Sequence, residues 1–221
     1  PCSNTSPFGE LFAVVTGRSR ASVMGLIERG RLPRPDFIGS SVGTELLDTA
    51  DPENRLGELY RGCALPGFSP ESIYELGEGA GMRRQKFADG QPERLAAFDW
   101  DGTPEALLAL RQRLPAPYCG RVFESSNRYV DVLPPGVGKG ELAVFLGEAL
   151  RILRARSVVA GDSGNDRSLF ETGLSGILPS NALPELVVHA RAPQHVRSQY
   201  PAARGVLDGL CRLGFLQPVE L

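Results

Sequence analysis

The sequence predicts an α/β fold: a parallel sheet covered by helices, interrupted midway by an inserted α+β region. Three observations carry this. Short continuous apolar runs alternate with helix-period segments at both ends of the 221 residues. Two of those runs stop at a glycine followed by polar residues, as buried parallel strands do when they end in a loop. Between the two ends the insertion, 51–133, changes character, opening with residues 51–91, which are rich in Gly, Pro and charge.

Taken in order, Leu11-Phe-Ala-Val-Val15 is a β-rich run closed by Thr16-Gly17 and is expected as a buried parallel strand. Ser19 to Glu28 spaces Val23, Leu26 and Ile27 as one helix face behind serine caps. Phe37-Ile38 reads as a short strand turning into Ser40-Ser-Val-Gly-Thr44. Within the insertion, Leu95–Asp99, Arg121–Ser125 and Arg128–Leu133 read as strands. Pro104–Leu114 reads as a helix with proline in its first turn. A helix then runs from Glu141 to Leu150, a strand covers Val158 to Ala160, and another covers Ser175 to Leu178. Short helices at Leu183–Val188 and Val206–Leu213 close the chain, the last stopped by Gly214. The expected domains are therefore a core, 1–50 and 134–221, and an insertion, 51–133.

Composition excludes several classes. Hydrophobic residues at 42% and charged residues at 23% are ordinary for a globular chain, and a net charge of −2 offers no polybasic surface for nucleic acid or membrane. No apolar stretch approaches the roughly 20 residues of a membrane span. Cys2, Cys63, Cys119 and Cys211 lack paired spacing and read as free thiols of a reducing, cytoplasmic compartment. His189 and His195 sit in a polar stretch and read as surface residues.

Three segments carry chemistry. Val15-Thr-Gly-Arg-Ser19 ends a strand with a hydroxyl and pliable backbone, suited either to phosphate oxygens or to a plain strand–helix turn. Pro134-Pro-Gly-Val-Gly-Lys-Gly140 sets Lys139 among glycines at a helix start, where positive charge is disfavoured unless an anion shares the site. It is not a P-loop, since Gly-x-x-x-x-Gly-Lys-Ser/Thr is not met. Ala160-Gly-Asp-Ser-Gly-Asn-Asp166 brings two carboxylates round a tight loop, as a hard cation such as Mg²⁺ would need or as a helix cap would.

Together, and in this order, the three segments resemble motifs of the haloacid-dehalogenase superfamily of phosphohydrolases. The resemblance extends to the sucrose-phosphate phosphatase family through Pro35-Asp-Phe37 with Ser41-Val-Gly-Thr-Glu45 and Val130-Asp-Val-Leu-Pro-Pro135. Ser180-Asn-Ala-Leu-Pro-Glu185 and Arg204-Gly-Val-Leu-Asp-Gly-Leu210 extend it further. It implies a haloacid-dehalogenase-like core with an α+β cap and a Mg²⁺-dependent sugar phosphatase, with sucrose 6-phosphate the leading substrate. By the same resemblance Thr16 and Lys139 are catalytic, and Gly17, Arg18 and Asn165 bind substrate. Asp162 and Asp166 hold Mg²⁺, Asp162 more directly. Arg18 and the Ser41–Glu45 turn could face the sugar.

The family's nucleophile, the first aspartate of an Asp-x-Asp on the strand before Thr-Gly-Arg, has no counterpart here, because Pro1 to Glu10 contains no aspartate. The chain is thus expected to be a fragment lacking its first strand. Asp99-Trp-Asp101-Gly-Thr103 matches the nucleophile motif by letter but falls where the family has a cap strand, and is expected to be a decoy; a rearranged site using Asp99 and Asp101 is the alternative. A second functional class also fits the missing motif: a non-catalytic sugar-phosphate-binding domain fused to, or associated with, a sucrose-phosphate synthase.

Overall fold

A computed structural model describes residues 10–87 and 89–217; Cys2 lies outside them. The described residues form two compact units that divide after Leu142.

The first unit holds two sheets. β1 (Ala13–Val15) and β2 (Phe37–Ser40) pair in parallel, Ala13 opposite Phe37, and are joined through α1 (Arg20–Glu28). Ser19 caps α1, its Oγ accepting from the Ser22 N–H at 3.4 Å. Beyond the turn at Ser41–Gly43 the chain reverses into β3 (Glu45–Asp48), antiparallel to β2. α2 (Arg55–Arg61) is anchored to β3 through Asn54, whose amide donates to the Leu46 carbonyl (2.9 Å) and accepts from the Asp48 N–H (2.8 Å).

α3 (Pro70–Glu78), β4 (Arg83–Arg84), β5 (Ala96–Asp99), α4 (Pro104–Arg113), β6 (Val122–Ser125) and β7 (Tyr129–Val132) follow. Their strands form an antiparallel sheet in the order β4-β5-β7-β6. One face presents Ala96, Phe98, Val122, Val130 and Val132 to Ile73 and Tyr74 of α3 and Leu110 of α4. On the other, Ala97 packs with Leu95 and Leu133 against Val42 of the Ser41–Gly43 turn. Period-two alternation thus feeds two cores.

α5 (Lys139–Ala149) contains the boundary between the units. The second unit is a parallel sheet, β10-β9-β8, built from β8 (Val158–Ala160), β9 (Ser175–Leu178) and β10 (His195–Arg197). α6 (Arg167–Phe170) and α7 (Pro184–Val187) link the strands, and α8 (Ala202–Arg212) packs on β9.

Three expectations need correction. The run Leu11–Val15 was expected as a buried strand, yet Leu11 is 54% and Phe12 42% exposed and Ala13 is exposed. Ala160, at the end of the other expected buried strand, is exposed as well. The reason is the same for both: among the described residues β1 pairs with β2 alone and β8 with β9 alone. His195 is also not a surface residue. It is half-buried on β10, with its ring edge-on to Phe170 at 5.1 Å, and this burial pushes its pKa down. His189 is exposed, as expected.

Candidate active site

Thr16 follows β1 directly, and its backbone is fully employed. Its N–H donates to Gly39 at 2.8 Å and its carbonyl accepts from Val42 at 2.9 Å. The hydroxyl oxygen accepts from the Arg18 N–H (3.2 Å), bending Thr16-Gly-Arg18 into a tight turn with Arg18 exposed. Ser41 N–H in turn donates to the Arg18 carbonyl at 2.9 Å. The Ser41–Gly43 turn is therefore hooked onto the Thr16 loop by two backbone bonds.

That turn is strained. Ser41, Val42 and Gly43 have φ of 51°, 61° and 76° in succession, and the first two carry side chains. It is held by the Thr44 hydroxyl donating to the Ser41 carbonyl (2.9 Å), and by Glu45, which accepts from the Ser40 hydroxyl (2.8 Å). Gly43 cannot be replaced lightly: a Cβ there would stand 2.8 Å from the Gly138 carbonyl carbon and the Lys139 nitrogen. The turn thus joins Thr16 to the loop that delivers Lys139.

Lys139 is the first residue of α5 and only 4% exposed, so it is not a solvated surface lysine. A buried ammonium there sits against the positive end of the helix. The preceding loop is fixed at each step. Leu65 N–H donates to the Pro135 carbonyl (2.8 Å), and Arg121 donates to the Val137 carbonyl while pairing with Glu141 at 2.6 Å. Tyr60 holds Gly138. Asp131 of β7, 6% exposed, feels the Lys139 charge; burial nevertheless dominates and pushes its carboxyl up to about 7. Sequence reasoning passed over both Tyr60 and Asp131, although a carboxylate inside the alternating run Arg128–Leu133 was a visible signal.

The acidic loop lies in the second unit. Asp162 is exposed, and Asp166 is buried at 6%. Asp166 Oδ2 accepts from the N–H groups of Asp162 (2.9 Å) and Ser163 (3.2 Å), closing a capping box with Ser163. The cap reading holds: Asp166 organises the loop, while Asp162 is exposed. Gly161 permits this, since a Cβ would meet the Asp166 Cβ at 2.5 Å. Asn165 accepts from the Ser163 hydroxyl at 3.2 Å. Asn181, unassigned from sequence, donates to Asp162 Oδ2 (3.2 Å) and accepts from the Ala202 N–H (2.6 Å).

Asp99 ends β5 in the antiparallel sheet, not in the sheet that carries Thr16. Its carboxylate lies 3.6 Å from Arg83 and accepts from Gln85 at 3.3 Å. Asp101 accepts from the Thr103 hydroxyl (2.6 Å) and N–H (3.0 Å), shaping the entry to α4. Among the described residues no three His, Cys, Asp or Glu side chains gather as a metal-binding group. No helix there is long and apolar enough to cross a membrane.

Sequence comparison agrees with this geometry. The family profile "Sucrose-6F-phosphate phosphohydrolase" matches residues 8–214. The chain is 34% identical over 208 residues to mannosylfructose-phosphate phosphatase of Agrobacterium fabrum, covering 90% of this chain and 81% of that protein. It is 31% identical over 210 residues to glucosylglycerol-phosphate synthase of Pseudomonas anguilliseptica, covering 92% of this chain but 26% of the synthase. Other curated relatives are spanned over only 50% and 58% of their length. The crystal structure of the sucrose-phosphatase from Synechocystis sp. PCC6803, in complex with sucrose and phosphate, is 26% identical with a TM-score of 0.79. The match covers 92% of this chain and 84% of that one. More distant haloacid-dehalogenase-like structures share the fold alone, at 14–22% identity and TM-scores of 0.58–0.67. Fold, motif order and sequence lead to one assignment: the chain belongs to the sucrose-6F-phosphate phosphohydrolase family of haloacid-dehalogenase-like sugar phosphatases, a family of phosphoric monoester hydrolases.

Proposed function

We propose that the chain carries the phosphate-binding and metal-binding parts of a Mg²⁺-dependent sugar phosphatase, with sucrose 6-phosphate as its leading substrate. The observation that carries this reading is Lys139, a buried lysine at a helix start, tied through the Ser41–Gly43 turn to the backbone of the Thr16–Arg18 loop. Such an arrangement is suited to a dianionic phosphoryl group, whose negative charge is attracted both by the helix start and by the lysine.

In this reading Thr16 donates its hydroxyl to a phosphoryl oxygen, with Gly17 allowing close backbone approach. Lys139 neutralises charge on the phosphoryl group and its attacking carboxylate. Asn165 steadies phosphate, while Arg18 and the Ser41–Glu45 turn meet the sugar. Asp162 and Asp166 hold Mg²⁺. Two carboxylates suit an ion that keeps most of its coordination for water and phosphate oxygens. Asp162 binds it directly, because Asp166 already spends Oδ2 on loop N–H groups. When bound, Mg²⁺ neutralises developing phosphoryl charge.

Asp99 and Asp101 are not the nucleophile and acid in this reading, because both are engaged in contacts of the antiparallel sheet and the entry to α4. The cap is the antiparallel sheet with α3 and α4, within 51–133, on a core formed by 1–50 and 134–221. We place the protein in the cytoplasm.

Phosphate release from a panel of sugar phosphates by the full-length gene product tests the reading. We expect Mg²⁺-dependent turnover with preference for a disaccharide phosphate, lost with EDTA and with Lys139→Ala. Turnover untouched by both would refute it. The likeness to one segment of a synthase favours a second reading, a non-catalytic sugar-phosphate-binding domain fused to a glycosyltransferase. A glycosyltransferase domain encoded upstream, without Asp-x-Asp-x-Thr, would select it.

A further inference from the structure

We infer that Tyr60 is a positioning residue for Lys139: its phenol clasps the Ser41–Gly43 turn to the loop that opens α5. The inference rests on the phosphatase reading above and adds to it a residue on α2.

The geometry is specific. Tyr60 is 1% exposed, and its oxygen lies 2.8 Å from the Gly43 carbonyl, 3.1 Å from the Gly138 carbonyl and 3.0 Å from the Gly138 nitrogen. A phenol has one proton and lone pairs to accept with. Its proton goes to Gly43, the nearer acceptor, and it accepts from the Gly138 N–H. One oxygen atom thus bonds to both sides of the narrow contact in which a Cβ on Gly43 would collide with Gly138 and Lys139. Burial pushes the Tyr60 pKa up, so the hydroxyl remains a neutral donor at any pH the enzyme would meet.

The clasp has a consequence for the lysine. Gly138 is the residue before Lys139, so the backbone direction at Gly138 sets where the ammonium starts. Gly43 belongs to the turn whose other N–H groups are bonded to Thr16 and Arg18. Tyr60 therefore fixes the Lys139 backbone relative to Thr16 from beneath, without touching substrate. A misplacement of about 1 Å between groups that share a transferring phosphoryl is costly in rate. α2 itself cannot drift, because Asn54 pins its start to β3.

The test is a double-mutant cycle on the full-length gene product with inorganic phosphate as the probe, measured by calorimetry in Mg²⁺. Tyr60→Phe removes one oxygen and keeps the ring. We expect it to weaken phosphate binding about fivefold or more, the scale of one buried hydrogen bond. In a Lys139→Ala background the same substitution should change nothing further. Phe98→Leu, a destabilising change in the other core of the unit, serves as comparator and should leave phosphate affinity unaltered. An equal effect of Tyr60→Phe with and without Lys139, or no effect while Lys139→Ala weakens binding, overturns the inference and leaves the phosphatase reading standing. Unaltered binding in Lys139→Ala overturns that reading and the inference with it. Amide exchange of Gly138 in the unliganded wild-type protein needs no variant: slow exchange is expected, and rapid exchange would overturn the clasp.

Discussion

Asp131 makes the stability of this protein depend on pH in an unusual direction. Its carboxyl is raised from 3.8 to about 7 by burial, which outweighs the attraction of Lys139. A carboxyl that holds its proton more tightly in the folded state stabilises the fold at acid pH. That contribution is lost as pH rises from the unfolded pKa, near 4, through the folded value, near 7. A shift of about three units corresponds to roughly 4 kcal/mol across the whole span, of which about 2.5 kcal/mol falls between pH 5 and pH 8. Asp131→Asn keeps the shape and cannot ionise. Measured by urea denaturation, the variant should gain on the wild type by about 2.5 kcal/mol between pH 5 and pH 8. A stability difference between the two proteins that is the same at both pH values would refute the reasoning, since it would mean that Asp131 titrates alike in folded and unfolded chains.

Other outcomes separate the roles of the remaining residues. Asp162→Asn should abolish Mg²⁺-dependent turnover with little change in thermal midpoint, whereas Asp166→Asn should cost about 1–3 kcal/mol as well, because its carboxylate receives two backbone N–H groups; parallel melts and phosphate-release assays distinguish them. Gly161→Ala should reproduce the Asp166→Asn phenotype by forcing that carboxylate away, visible as a raised Mg²⁺ requirement. Asp99→Asn with Asp101→Asn should retain turnover in the full-length product; loss of chemistry with unchanged substrate affinity would restore the rearranged-site alternative. Gly43→Ala should lower stability and turnover together, since both its φ of 76° and its contact with Gly138 oppose a side chain.

The strands and helices at both ends were legible because their apolar runs are continuous and their caps conventional, as at Ser19. The motif loops stood out because glycines, hydroxyls, a lysine and carboxylates gather in them at short spacing. α2, α3 and β4 were not: their burial rests on isolated residues such as Tyr60, Ile73 and Tyr74 scattered among charges, without a sustained period. β10 and the half-buried His195 were hidden for a similar reason, since the strand has only three residues and a histidine in a polar stretch looks solvated. The exposure of β1 and β8 could not be read from their composition at all, because burial of a strand depends on its neighbours. At the site, sequence supplied the residues that would touch phosphate and metal. It missed Tyr60, which lies in no motif, and it assigned no role to Asp131 and Asn181, which lie inside quoted segments but act through other groups.

The seating of α2 changes how this protein could be recombined with its relatives. By composition the insertion begins near residue 51, so a graft exchanging one cap for another would be cut there. Such a cut would remove Asn54, which ties α2 to β3, and Tyr60, which holds Gly138. It would also remove Leu65, which bonds the Pro135 carbonyl. The transplanted cap would arrive on a core whose lysine loop had lost its footing. A graft that respects these bonds would be cut after Leu65, so that α2 travels with the Lys139 loop.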